Sequence, residues 1–122
     1  MGSKIPLFID TEEAPRLNLA KGIETLVLSG LNGEAMMMVQ HRIAPGATAP
    51  LHAHSNQQCG LIHSGSGRLT IGNMTREVKT GDCFYMTSDI KHGVINTGDD
   101  TLVMIEVFHP VREDFVNMIK NP

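Results

Sequence analysis

Apolar residues along this chain recur in short runs broken by Gly, Pro, Asn and Asp, with a helical spacing only at the end. Period-two alternation, or a brief apolar run between turn residues, is the pattern of a β-strand. Residues 23–29 form such a segment around Leu26, Val27 and Leu28, and 35–44 form another, closed by Pro45-Gly46. Residues 51–54 and 58–63 follow, the latter closed by Ser64-Gly65-Ser66-Gly67. Residues 68–71 and 75–79 predict a hairpin about Gly72-Asn73, a strong short-turn pair. Segments 83–87, 93–96 and 102–108 complete the series, separated by Gly- and Asp-containing turns. From Val111 onward, Phe115, Met118 and Ile119 share one stripe of a helix. Glu113 and Asp114 open it and Lys120 closes it, the sense that suits the helix dipole. Many short strands with turn signals between them indicate an all-β sandwich or barrel, here with a short C-terminal helix.

Composition narrows the picture without changing it. A chain of 122 residues suits one domain spanning residues 1–122, and 41% hydrophobic residues suffice for one core. A net charge of -3 offers no basic face for nucleic acid and no polybasic patch for a membrane surface. No apolar run approaches the roughly 18 residues of a membrane span. The opening Met1-Gly2-Ser3-Lys4 lacks the apolar stretch of a signal peptide, so a cytoplasmic protein with Cys59 and Cys83 as free thiols is expected. The run Met36-Met37-Met38 invites a thioether metal site, but adjacent strand residues face opposite ways, so packing is the better reading. The apolar segment Ile5 to Ile9 is expected to cross onto a partner and cover a sheet edge in a homodimer.

The chemistry lies in the histidines. His52 and His54 are two apart and so share a strand face, and Gln58 continues their parity. Gln57 competes for that role from the opposite parity. His92 opens a later β-segment that a barrel can bring opposite the first. Three imidazoles and an amide oxygen then surround one point. A bare pair of alternating histidines also occurs on solvated strands, so the frame around it matters. Gly46 stands six residues before His52, Gly65 seven after Gln58, Gly81 eleven before His92 and Asn96 four after it. His63 has outward parity, His41 shows no partner, and His109 lies either at a pocket mouth or in solvent. Cys59, next to Gln58, points outward and makes a poor candidate nucleophile.

The stretch from Gly46 through His52-Ala53-His54 and Gln58 to Gly65 resembles the first motif of the cupins, and Gly81 to His92 to Asn96 resembles the second. The resemblance implies a double-stranded β-helix, a jelly-roll barrel, holding one divalent metal ion through His52, His54, Gln58 and His92. Three departures stand out. Gln58 occupies a slot usually held by Glu, Thr87 replaces a usual Pro, and Asp89 replaces a usual Gly, so the loop before His92 is expected to differ in shape. Four neutral ligands leave the ion's charge unquenched and suit Mn, Fe, Co, Ni, Cu or Zn more than Mg or Ca.

The tail is similar to that of the small cupins of pectin degradation, the KdgF type, over Glu106-Val107-Phe108-His109-Pro110-Val111-Arg112-Glu113-Asp114-Phe115. These also carry Gln in the third ligand slot. The resemblance implies action on a small anionic carbohydrate: opening of 4,5-unsaturated uronates to linear keto acids, with Glu106, Phe108 and Arg112 in the pocket. Asp is usual where this chain has Glu106. Glu106 and Phe108 share a strand face, and Glu106 reads either as a general acid/base or as an ion-pair partner that docks the helix through Arg112. Arg112 is expected to hold a substrate carboxylate in bidentate fashion. Two other readings stay open: a mononuclear cupin dioxygenase, which would consume oxygen, and a non-catalytic cupin that binds a sugar or organic acid.

Overall fold

The computed structural model describes residues 8–122. Ten strands fill most of it: β1 (Arg16–Ala20), β2 (Ile23–Val27), β3 (Met37–Ile43), β4 (Thr48–His52), β5 (Gln57–Ser64), β6 (Ser66–Ile71), β7 (Met74–Lys79), β8 (Cys83–Met86), β9 (His92–Ile95) and β10 (Leu102–His109). A 3-10 turn, Thr11–Glu13, precedes them and helix α1, Glu113–Lys120, follows. They form two antiparallel sheets, one of six strands in the order β1-β2-β3-β10-β5-β8 and one of four in the order β4-β9-β6-β7. The fold is all-β, as the alternation predicts.

Two apolar clusters lie between and beside the sheets. Ile23, Ile43, Ile62, Leu69, Met86, Val94, Leu102 and Met104 join the sheets, each supplied by the inward parity of its strand. Leu17, Val27, Met37, Val39, Phe108 and Phe115 form the second, which anchors the helix. Of the Met run, Met37 is fully buried while Met36 and Met38 are exposed, as alternation requires. In α1 the stripe is partly revised. Phe115 is buried and Val116 and Ile119 pack against its cluster, but Met118 is largely exposed.

Strand β1 escapes the sequence pattern because it is an edge strand with only Leu17 buried, and its pairing with β2 is broken by a bulge between Asn18 and Ala20. The β6–β7 hairpin turns at Gly72-Asn73 as predicted, with Gly72 at φ 62°. Asp89, in the loop before His92, adopts φ 65°, a backbone conformation that Asp tolerates better than most residues. Ile5 to Leu7, predicted to reach a partner, lie outside the described residues, and Phe8 and Ile9 are exposed.

Candidate metal centre and active site

His52 ends β4 and His92 opens β9, and the two are directly paired across neighbouring strands of one sheet. The fold thus brings the His92 segment opposite the His52 segment as its direct strand partner within one sheet. His54 lies just beyond the end of β4 rather than on it. It still joins them, with ring centroids 5.8 Å from His52 and 5.0 Å from His92. A nitrogen from each of the three rings lies within 4.8 Å of the others. Gln58 reaches in from β5 of the facing sheet and is buried, whereas Gln57 is exposed and accepts a hydrogen bond from the Tyr85 hydroxyl.

The hydrogen bonding of these side chains fits a cation. His52 Nδ1 lies 2.8 Å from the Pro50 carbonyl and His92 Nδ1 lies 2.9 Å from the Ile90 carbonyl. A carbonyl only accepts, so each Nδ1 carries the proton and each Nε2 keeps its lone pair. Carbonyl partners of this kind orient metal-binding imidazoles. Both ring nitrogens of His54 and the Oε1 of Gln58 are buried with no hydrogen-bond partner among the described residues. A neutral imidazole keeps one lone-pair nitrogen, so the orphaned acceptors are that nitrogen of His54 and Gln58 Oε1, which a shared cation would satisfy. Burial holds His54 down to a pKa of about 4 and lowers His92 as well, so both rings are neutral at pH 7. The three imidazoles could together hold a transition-metal ion, and Gln58 is a neutral amide buried in the lining of the same cavity.

The three tail residues converge on the same cavity, of about 290 Å³, whose apolar wall includes Ile23, Ile43, Leu69, Met86 and Met104. Glu106 is 5% exposed, and burial pushes its carboxyl up to about 7. Its Oε2 accepts a hydrogen bond from Gln58 Nε2, while the Oε1 of the same amide stays buried without a partner among the described residues. Residue 60 is glycine for a steric reason. A Cβ there would lie 2.9 Å from Glu106 Cγ and would also strike the Ile105 carbonyl. Phe108 is buried and meets the His54 ring at 5.7 Å and the Phe115 ring at 5.9 Å, both edge-on.

Arg112 does not pair with Glu106 among the described residues. Its Nε and Nη2 bind Asp114 at 3.0 and 2.8 Å, and its guanidinium lies over Phe115 at 4.2 Å and Phe108 at 5.1 Å. The ion pair of Arg112 is therefore a local one with Asp114 in the first turn of α1, and the reading of Glu106 as its helix-docking partner is corrected. One bidentate edge of Arg112 is thus filled by Asp114.

The sequence reading passed over His41. Its Nε2 lies 3.4 Å from Glu106 Oε1, and its Nδ1 lies 2.7 Å from Thr25 Oγ1. A signal was available, because His41 holds the inward parity of Met37, Val39 and Ile43 on β3. His63 and His109 are exposed, and neither lines the cavity. Cys59 and Cys83 are free and exposed.

With the geometry in place, comparison with known proteins decides the family. Residues 39–108 match the Cupin domain family, which is more than half of the chain. The chain is a cupin. The pectin degradation protein KdgF of Dickeya dadantii (strain 3937) is 32% identical over 110 residues, covering 89% of this cupin and 96% of the relative. The structure of KdgF from Halomonas sp. superposes with a TM-score of 0.80 at 24% identity, covering 91% and 99% of the two chains. An RmlC-like cupin from Shewanella frigidimarina NCIMB 400 superposes at 0.78 with 22% identity, covering 91% and 96%. At these identities the two structures speak for the fold alone.

Proposed function

We propose that this cupin is a metal-dependent enzyme that opens the ring of a small 4,5-unsaturated uronate to a linear keto acid. The observation that carries the reading is a buried Glu106, with a pKa of about 7, sharing one cavity with the imidazole cluster and Arg112. A group that titrates near the working pH is suited to both taking and giving a proton. The 32% identity to a pectin degradation protein supports the same substrate class.

The proton balance is simple. The anomeric hydroxyl loses its proton, the bond between the anomeric carbon and the ring oxygen breaks, and an aldehyde forms. The electron pair left on the ring oxygen belongs to an enolate, and protonation of its far alkene carbon gives the ketone. No water is consumed and no redox change occurs. Glu106 takes the first proton and returns one to carbon. A divalent ion held by His52, His54, His92 and Gln58 supplies Lewis acidity toward substrate oxygens when bound. Arg112 binds the substrate carboxylate through its Nη1 side, fixed by Asp114 and by stacking on Phe115. Phe108 keeps His54 in place and excludes water beside it.

The test is the ultraviolet absorbance of 4,5-unsaturated galacturonate mixed with metal-loaded protein. Loss faster than the spontaneous rate, without oxygen uptake, is the expected result. Decay at the spontaneous rate sinks the assignment, and stoichiometric oxygen consumption would mark a dioxygenase instead.

A further inference from the structure

We propose that His41, set by Thr25, is a positioning residue for Glu106. The inference rests on the acid–base role given to Glu106 above. In the six-stranded sheet β10 runs between β3 and β5. Glu106 on β10 is therefore flanked by His41 from one neighbour and Gln58 from the other, one at each carboxyl oxygen. Thr25 and His41 are direct partners in the β2–β3 ladder, so the three groups form a row across adjacent strands.

That row interrupts an apolar surface. The inward positions of β2 are Ile23, Thr25 and Val27, and those of β3 are Met37, Val39, His41 and Ile43. Thr25 is fully buried and the His41 side chain is 14% exposed. Aliphatic residues would pack at these two positions without a desolvation cost, so the polar pair calls for a role beyond filling space. Burial holds the His41 imidazole at a pKa of about 4, which makes it a neutral ring at pH 7.

A neutral imidazole and a hydroxyl can each donate or accept. While Glu106 is ionised, Thr25 donates to Nδ1 and the ring proton sits on Nε2, facing Oε1. The carboxyl then faces a donor at each oxygen, bonded to Gln58 Nε2 on one side and 3.4 Å from His41 Nε2 on the other. The Nε2–Oε1 contact is long in the free protein, as catalytic contacts often are before substrate binds. Without the ring, one oxygen of Glu106 is unrestrained and the carboxyl turns out of its reacting pose. The effect is read through Thr25, which does not line the cavity, so it falls on turnover, whereas His41 itself lines the cavity beside Glu106.

The experiment uses full-length protein loaded with zinc, which is diamagnetic. Thr25→Val, close in shape but lacking the hydroxyl, should lower kcat by about 10- to 100-fold, the usual scale for a supporting partner of a site residue. KM and bound zinc should stay at parental values, and Thr25→Ser should restore kcat. Nitrogen-15 spectra of histidine-labelled protein should place the His41 proton on Nε2 at neutral pH, with signals that move on Glu106→Gln. Unchanged kcat in Thr25→Val, a loss that Thr25→Ser does not repair, or His41 signals indifferent to Glu106→Gln would each overturn the proposal. Should the parent protein turn over no uronate while the His41–Glu106 coupling is present in the spectra, the ring-opening reading falls and the pairing stands.

Discussion

Glu106→Asp is the most informative single change, because it keeps the acid and alters only where the carboxyl lies. The substitution withdraws the carboxyl by one methylene, about 1.5 Å. The His41 Nε2 contact, 3.4 Å in the parent, would open to about 5 Å, beyond any hydrogen bond. Gln58 Nε2 would lose its acceptor as well. Losing a buried hydrogen bond to a charged group costs about 1.5–3 kcal/mol, and one buried methylene adds about 0.8. The sum, roughly 2–4 kcal/mol, is a sizeable part of the about 5–15 kcal/mol that a domain commands. The kinetic cost is set by position: a misplacement of about 1 Å can cost about 100-fold in rate. Urea unfolding and the uronate absorbance assay, run on the same preparations, measure both effects. Glu106→Gln is the control, since it keeps the side-chain length but removes the acid and should abolish turnover with a smaller loss of stability. A Glu106→Asp protein as stable and as fast as the parent would refute the reasoning, because it would show that Gln58 and His41 do not fix where the carboxyl must lie.

Three further outcomes are expected. Chelation should lower the melting temperature, by an amount that corresponds to about 2.7 kcal/mol when the metal stood at a hundred times its Kd, and His52→Ala, His54→Ala or His92→Ala should remove that difference; equal melting curves with and without chelator would count against a metal site. Asn96 is 1% exposed, its Nδ2 donates to the Ile43 and Asp100 carbonyls at 2.8 Å each, and its Oδ1 accepts from Gly98 N at 2.9 Å. Asn96→Leu should therefore cost roughly 3–5 kcal/mol in urea unfolding, from three lost bonds and stranded backbone groups. In metal-free protein, His41 contributes stability above its unfolded value of 6.5 that is lost as pH falls toward about 4, because the unfolded chain then binds the extra proton. Glu106 acts in the opposite sense, contributing below 4.5 and losing that contribution as pH rises through about 7. Unfolding measured from pH 4 to 7 should accordingly show His41→Phe less sensitive to acid than the parent, and Glu106→Gln more so.

Much of this protein was legible in its sequence because strand parity is a local property. Alternation alone placed Gln58 inward and Cys59 outward, separated Met37 from Met36 and Met38, and set Glu106 and Phe108 on one face. Turn chemistry at Gly72-Asn73 fixed one hairpin, and the resemblance to the two cupin motifs singled out His52, His54 and His92, which the structure brings together. Strand β1 was hidden because an edge strand with one buried side chain carries almost no periodic signal.

What the sequence by itself determined, then, is which side chains face inward and which motif they spell. Only the tertiary structure decided who meets whom. It paired His92 with His52 as a strand neighbour, gave Arg112 to Asp114 rather than to Glu106, and drew Thr25 and His41 up to the acid. The physical reason is that parity is set by consecutive residues within one strand. Strand order and register depend instead on how two sheets close over a shared core, and no local pattern encodes the meeting of His52 with His92 or of His41 with Glu106, which lie far apart in the chain.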